Sequence, residues 1–523
     1  MCIRDSDYLE GYASKAPDNL FSEFNSRTLT YKQANAIANQ FAYALKNEGL
    51  SKGDRFTFLS KNSDEYALMY YAASKVGIVP VPLNYRLADA EWEYIIDNSD
   101  SKIVIARSEE FVNRVHGFKA NLPSMNKCIC IDAKVPDDSW TDFYDWTKTQ
   151  SEENPEEDIK DDDAVYQMYT SGTTGRPKGV IIVQSNVVAN IGQVDKYIQR
   201  IPMPKNLLVA PVYHAAAAIN HFGTIAKGGQ NVIHEDFNPV EVAKTLSGEK
   251  ITNTVMVPAM IQACVYMVPD IDKMDFTTLD HITYGGSPIS PEVLTKAMGV
   301  FKCDFGQGFG MTENVAVLCF LSFDDHKEAL ASKPNLLKSC GKPVEGAAIE
   351  IRDDNEKEVP RGTIGQVCAK GPQVMKGYWK KEEASKETLA GGWLHTGDAG
   401  RMDEDGYVYI EDRIKDMIVS AGENIYSIEV ESALMEHPEI TDAAVIGIPD
   451  EKFGEAVKAF IVTKDGKELP QEDVIEFCKS KIASYKTPKT VDLIEIIPRN
   501  PSGKILKKVL REPFWAGKDR QVG

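Results

Sequence analysis

Four short apolar runs, at residues 55–60, 78–83, 102–106 and 127–131, alternate with helical stretches through the first 150 residues. Strands that alternate with helices fold into βαβ units, whose strands pair in parallel. One helix start is explicit. Thr30-x-x-Gln33 is a capping box, and Ala34, Ile37, Ala38, Phe41, Ala42 and Leu45 behind it form one apolar stripe. Strand and helix signals resume from 180 to about 310. From 340 to 410 the texture changes to short segments broken by Gly341, Gly346, Gly362, Gly365, Gly371, Gly377, Gly391, Gly392 and Gly406, which predicts a β-rich subdomain. Beyond Asp412 comes a compact set: helix 427–436, strands 443–448 and 458–462, helix 471–482 and strand 491–497. That is enough for a separate α+β domain. The stretch 151–163, with eight acids and one lysine, reads as a solvated connector. At 523 residues the chain is too long for one core.

Composition excludes several function classes. With 43% hydrophobic and 26% charged residues the chain reads as an ordinary soluble globular protein. A formal charge of −19 argues against nucleic acid or an anionic membrane as the main partner. The nine cysteines are scattered, and the one close pair, Cys128 and Cys130, matches no zinc or redox spacing. Reduced cysteines and a cytoplasmic location are therefore expected. No secretory signal is evident, and the most apolar long stretch, 67–83, is broken by Lys75, Gly77 and two prolines. Residues 1–6 fit no element and are set aside.

The chemistry is announced by Tyr169-Thr-Ser-Gly-Thr-Thr-Gly-Arg-Pro-Lys-Gly-Val180. Six small residues in a row, Thr170, Ser171, Gly172, Thr173, Thr174 and Gly175, cannot build a core, yet an apolar strand (164–169) delivers them. Glycines turn backbone N–H groups toward one point, hydroxyls add donors, and Lys178 adds a full charge, so the loop suits a polyphosphate. It is not a Walker A loop, because Gly172 and Gly175 are too close and Gly179, not Ser or Thr, follows Lys178.

Together with four further motifs, Gly285-Gly286-Ser287-Pro288, Gly306-Gln-Gly-Phe-Gly-Met-Thr-Glu313, Trp393-Leu-His-Thr-Gly-Asp398 and Pro498-Arg-Asn-Pro-Ser-Gly-Lys504, this loop resembles the adenylate-forming superfamily (acyl- and aryl-CoA ligases, luciferase and nonribosomal peptide synthetase adenylation domains), most closely its fatty acyl-CoA synthetases. The resemblance runs from about Tyr31 to Arg511 in the family's order and spacing. It implies an α/β fold with a large N-terminal domain of two βαβ-type sheets plus a β-rich subdomain, then a small mobile α+β C-terminal domain. The implied boundaries are 7–412, a hinge at 413–415, and 416–523.

Residue roles follow from the same resemblance. The loop Thr170–Gly175 with Lys178 implies a cradle for the β- and γ-phosphates of ATP. Gly285-Gly286-Ser287-Pro288 and Gly306-Gln-Gly-Phe-Gly-Met-Thr-Glu313 imply an adenine sandwich formed by Gly285, Gly286, Ser287, Gln307, Gly308 and Phe309. Phe309 stands where tyrosine is commoner, which keeps stacking and loses the phenol. Thr312 resembles the α-phosphate contact and Glu313 the Mg²⁺ ligand, a hard oxygen donor suited to that ion. Asp398, closing Trp393-Leu-His-Thr-Gly-Asp398, matches the ribose acceptor, with Arg413 as a second polar partner. Lys415 occupies the hinge. Gly422 lies in a loop resembling the thiol channel. Lys504, in Pro498-Arg-Asn-Pro-Ser-Gly-Lys504, matches the catalytic lysine, whose charge bridges substrate carboxylate and α-phosphate. Pro211-Val-Tyr-His214 matches a segment whose histidine sits near the carboxylate, and the four alanines after it suit an aliphatic chain as well as plain helix packing. Val183-Gln184 departs from the family's Thr-His.

The expected function is an ATP- and Mg²⁺-dependent acyl-CoA synthetase that forms acyl-AMP and then acyl-CoA from a medium- or long-chain fatty acid, using coenzyme A as co-substrate. The alternatives are a CoA ligase for an aryl or carnitine-like acid, or an acyl-AMP ligase that loads a carrier protein. A weak peripheral membrane contact and a homodimer stay open.

Overall fold

The four apolar runs become strands Arg55–Leu59, Val79–Leu83, Ser101–Arg107 and Lys127–Ile131. With Trp140–Asp142 they form a wholly parallel five-stranded sheet. The computed structural model describes residues 4–170, 176–198, 200–287, 289–414, 416–420, 423–450, 452–499 and 505–516. Helix Tyr31–Asn47 starts at the expected capping box: Gln33 N–H donates to Thr30 Oγ1 at 3.3 Å, and Thr30 N–H to Gln33 Oε1 at 2.9 Å. Helix Asp64–Val76 is buried along its whole length because it packs against strands of three different sheets.

The second βαβ-type sheet has nine strands. Its parallel centre runs in the order Leu20–Phe24, Gln230–Ile233, Lys205–Leu208, Asn253–Met256, His281–Gly285 and Asp304–Phe309, with antiparallel strands beyond both ends. Sites in such sheets form beyond the carboxyl ends of the strands, and Gly285 and Phe309 lie there. The glycine-rich stretch gives the β-rich subdomain, an antiparallel four-stranded sheet spanning Ala348–Arg352 to Val408–Arg413.

From Ile418 onward a third unit has its own core of Ile418, Val430, Leu434, Val445, Val457, Ile461 and Val474. Its central hairpin, Ile440–Asp450 with Gly454–Thr463, is longer than the predicted strands, since pairing carries polar residues out to Asp450↔Gly454. The expected strand 491–497 shrinks to Thr490–Leu493, the residues that pair with Lys458–Ile461. The acidic connector is strapped down as well as solvated. Asn39 Nδ2 donates to Glu152 O at 2.6 Å, and Lys52 meets Asp163 at 2.5 Å. Helix Asp5–Lys15 begins inside the segment set aside from the sequence. Gln184, at the start of helix Gln184–Ile198, is buried and donates to Ser74 Oγ at 2.7 Å, so it joins two helices. Every cysteine among the described residues is free, and burial pushes the Cys128 thiol up to about 12. No described helix is long and apolar enough to cross a membrane.

A buried polar ladder ties the nine-stranded sheet to its covering helices. Asn206 Nδ2 donates to Asn231 Oδ1 at 2.8 Å, and Asn253 and Asn220 donate to Asn206 Oδ1 at 3.1 and 2.9 Å. Asn231 Nδ2 lies 3.0 Å from His221 Nδ1, and His221 Nε2 lies 3.2 Å from Ala67 O. The amide can only donate and the carbonyl only accept, so His221 must be neutral with its proton on Nε2. Burial holds its pKa down at about 4, against an ordinary 6.5. The unfolded chain therefore takes up the proton first, and stability present above pH 6.5 is lost as the pH falls toward about 4. Urea unfolding should show a loss on the order of 3 kcal/mol across that window from this one group. His221→Gln should lower stability at neutral pH and flatten the slope.

Candidate active site

Strands Ala164–Thr170 and Lys178–Val183 form an antiparallel pair whose last partners are Thr170 and Lys178. The Ser/Thr/Gly loop thus leaves and re-enters at the open end of a hairpin. Ser171, Gly172, Thr173, Thr174 and Gly175 themselves, with Lys415, Gly422 and Lys504, lie outside the described residues. Gly179 leaves room for the Gln167 side chain, whose Nε2 would stand 2.6 Å from a Cβ there. A third strand, Gly377–Tyr378, pairs alongside, and Trp379 N–H donates to Gly179 O at 2.8 Å. This brings the Tyr378 ring 4.9 Å from the Lys178 ammonium. On the other side Tyr94 takes the Arg176 guanidinium over its ring at 4.9 Å.

The predicted adenine segments are neighbours. Gly285 pairs with Gly308 across parallel strands, and a Cβ on Gly285 would sit 2.2 Å from Gly308 O. Gly286, at φ 81°, takes the left-handed turn that follows. The Tyr284 hydroxyl lies 2.9 Å from His326 Nε2 and 3.4 Å from Gln307 Oε1, while Ser287 and Phe309 are half-buried.

Past Phe309 the backbone folds into a tight knot. Leu318 N–H returns to Phe309 O at 2.7 Å, Met311 N–H reaches Asn314 Oδ1 at 2.8 Å, and Val315 N–H reaches Thr312 O at 3.1 Å. Val315 sits at φ 66°, ψ −67°, with Ala316 N–H closing onto Asn314 O at 2.8 Å. This is a γ-turn at a β-branched residue, which costs about 1–3 kcal/mol and persists only where surroundings over-determine it. Glu313 is buried at 6% exposure, with its carbonyl accepting Met375 N–H at 2.8 Å and Oε1 accepting the Tyr378 hydroxyl at 2.9 Å. Burial, and then the Glu313 charge, push the Tyr378 phenol well above its ordinary value.

Asp398 and Arg413 are register partners on adjacent strands, and Arg413 Nε lies 2.8 Å from Asp398 Oδ1. Thr396 supports both, through its hydroxyl to Asp398 N–H and its carbonyl to Arg413 Nη1. The next carboxylate along, Asp412, accepts Arg413 N–H at 2.7 Å and, through Oδ2, Ser427 N–H and Oγ at 2.5 and 2.6 Å. Lys507 completes the group, bonding Ser427 Oγ and pairing with Glu431 at 2.8 Å. Burial raises both carboxyls, while their charges raise the Lys507 ammonium despite its own burial. Arg499 and Ile505 face each other as an antiparallel bridge ahead of helix Lys507–Trp515.

His214 precedes helix Ala215–Ala226, its ring 4.4 Å from that of Tyr213. Ala215, Ala217 and Ala218 are buried and Ala216 is exposed. Tyr213 packs edge-on against Tyr85, which borders a cavity of about 470 Å³ also lined by Lys61, Arg86, Phe111, Arg114 and Asp236. Thus Lys178 and Glu313 share Tyr378, Gly285 meets Gly308, and Asp398 meets Arg413, while His214 is placed by a separate helix. Sequence reasoning missed Tyr378, Asp412, Ser427 and Lys507, because nothing local marks contacts between residues so far apart in the chain.

No group of three or more His, Cys, Asp or Glu side chains among the described residues is arranged to hold a metal. The donor present is one hard carboxylate, Glu313. That fits Mg²⁺, which keeps waters and phosphate oxygens as its other ligands.

Residues 9–379 match the family model of AMP-binding enzymes, and 429–504 that of the AMP-binding enzyme C-terminal domain. The chain belongs to the AMP-binding enzyme family. This AMP-binding enzyme is 35% identical over 505 residues to a fatty acid–[acyl-carrier-protein] ligase of Streptomyces coeruleorubidus, covering 95% of this chain and 93% of the relative. It is 34% identical over 490 residues to a long-chain-fatty-acid–CoA ligase of Mycobacterium tuberculosis, covering 93% of each. Among solved structures, ATP-bound MatB from Rhodopseudomonas palustris superposes with a TM-score of 0.89 at 26% identity, over 98% of this chain and 99% of that one. The protein is an adenylate-forming enzyme.

The two facing glycines of this AMP-binding enzyme should behave differently. Gly285→Ala drives a Cβ into backbone and should cost ~1–3 kcal/mol in unfolding free energy. Gly308→Ala, whose Cβ would have 3.6 Å to Val317, should be tolerated, and thermal melts of both variants check the contrast.

Proposed function

We propose that this adenylate-forming ligase converts a medium- or long-chain fatty acid to acyl-AMP and then to acyl-CoA. The observation that carries the reading is that Lys178 and Glu313 converge on Tyr378 where the hairpin opens into the Ser/Thr/Gly loop. A cation and a carboxylate at the edge of a loop of backbone donors suit a metal-bound polyphosphate.

In the first half-reaction a carboxylate oxygen of the acid attacks the α-phosphorus of ATP. The bond from that phosphorus to the bridging oxygen breaks, and pyrophosphate leaves. Positioning and charge neutralisation dominate such chemistry. Lys178 and the loop, Thr170 through Gly175, hold the β- and γ-phosphates. Thr312 meets the α-phosphate, and Lys504 bridges it to the carboxylate beside His214. Glu313 would hold Mg²⁺, which would supply neutralisation of phosphate charge. Gly285, Gly286, Ser287, Gln307, Gly308 and Phe309 flank adenine, and Asp398, steadied by Arg413, accepts the ribose hydroxyls. In the second half-reaction the chain beyond Lys415 rotates and Lys504 withdraws. The CoA thiol, passing Gly422, attacks the acyl carbonyl, the proton leaves the sulfur, and AMP departs.

The two relatives described above act on fatty acids by name. For the acceptor, CoA is the reading that the second relative's name supports. A carrier-protein thiol is the second reading, since one of the relatives transfers to such a protein.

With ATP, Mg²⁺, CoA and acids of two to eighteen carbons, the protein should release AMP and pyrophosphate, most rapidly with the longer acids. ADP as product, or no pyrophosphate with any acid, overturns the proposal. Lys504→Ala should cost at least ~10² in adenylate formation and largely spare thioester formation from supplied acyl-AMP.

A further inference from the structure

Glu313 carries its carboxylate on a chain with several rotatable bonds, so something must fix the direction in which its oxygens face. The segment from Met375 to Tyr378 does so twice. Met375 N–H holds the Glu313 carbonyl at 2.8 Å, and the Tyr378 hydroxyl holds Oε1 at 2.9 Å. Tyr378 is itself gripped by helix Glu382–Thr388: its N–H donates to Ser385 Oγ at 2.8 Å. The same ring presents its face to the Lys178 ammonium at 4.9 Å, within cation–π range. One buried side chain, 8% exposed, therefore touches the cation of the loop strand and the carboxylate of the knot.

We propose that Tyr378 is a positioning residue for the metal–phosphate centre, its hydroxyl setting the Glu313 carboxylate toward the divalent cation and its ring setting Lys178 toward the phosphates. This rests on the reading of Glu313 as the ligand for the cation that accompanies ATP. Carboxylates that bind metals are commonly oriented by a second hydrogen bond, and removing such a partner costs roughly 10- to 100-fold in metal affinity. The hydroxyl and the ring have separable duties. The hydroxyl governs metal binding, whereas the ring governs the polyphosphate.

Two variants divide these duties. Tyr378→Phe keeps the ring and loses the hydroxyl, and Tyr378→Leu loses both. Mn²⁺ binding to the complex of full-length protein with α,β-methylene-ATP, followed by electron paramagnetic resonance, gives a readout independent of turnover. Tyr378→Phe should weaken Mn²⁺ binding roughly 10-fold or more, raise the Mg²⁺ concentration needed for half-maximal pyrophosphate release in parallel, and leave the KM for the acid within about twofold. Tyr378→Leu should in addition weaken binding of the nucleotide analogue at saturating metal, and Tyr378→Phe should not. Unchanged Mn²⁺ affinity in Tyr378→Phe overturns the inference. So does an equal loss of metal, nucleotide and acid binding together with a lowered melting temperature, which would make Tyr378 merely structural. If the wild-type protein neither binds Mn²⁺ with the analogue nor releases pyrophosphate, the functional reading itself falls and takes the inference with it.

Discussion

A carboxylate almost wholly removed from water needs donors, and the region around Glu313 is organised by that need. Desolvation of an ionised group is expensive unless hydrogen bonds meet it. The Tyr378 hydroxyl answers it directly, and the route by which Tyr378 arrives shapes everything adjacent. Gly377–Tyr378 has to pair with Lys178–Val183, so the hairpin that opens into the Ser/Thr/Gly loop is fixed relative to the end of the nine-stranded sheet. The strained turn at Val315 is the counterpart on the sheet side. It brings Ala316 O so close to Gly310 that no Cβ fits there. Strain of this kind is retained where several bonds enforce it at once, and here they run from Phe309 to Leu318.

A second buried charge group joins the strand Val408–Arg413 to the chain beyond it. Asp412 receives three donors, two from Ser427 at the start of helix Ser427–Met435, and Lys507 and Glu431 close the circuit. Breaking a buried group of this kind leaves an uncompensated charge. The two sides of Lys415 are thus joined by more than the peptide chain in the arrangement described. Arg413, the register partner of Asp398, directly follows Asp412 in the chain. The Asp398–Arg413 pair therefore adjoins the junction directly.

The elements were legible in the sequence to different degrees. Lys127–Ile131 is as predicted because its apolar run and its pairing coincide. Ile440–Asp450 was underestimated at both ends because hairpin pairing stabilises polar residues that hydrophobicity does not mark. The loop, the glycine pairs, Asp398 and Arg413 were visible as motifs since each depends on residue types at fixed local spacing. Tyr378, Asp412, Ser427 and Lys507 were not. Each matters through one partner far along the chain, and an isolated tyrosine, serine or lysine carries no local sign of that partner.

By itself, then, the sequence determined the fold class, the order of the elements and the chemical character of the loop, because these follow from periodicity, glycine placement and charge within short windows. Only the tertiary structure decided that one tyrosine touches both Lys178 and Glu313, that Gly285 needs to lack a side chain because Gly308 O faces it, and that Asp412 is bolted to Ser427. Those facts come from strand pairing and burial between distant segments, where backbone geometry and the cost of desolvating charge select partners that local pattern leaves undetermined.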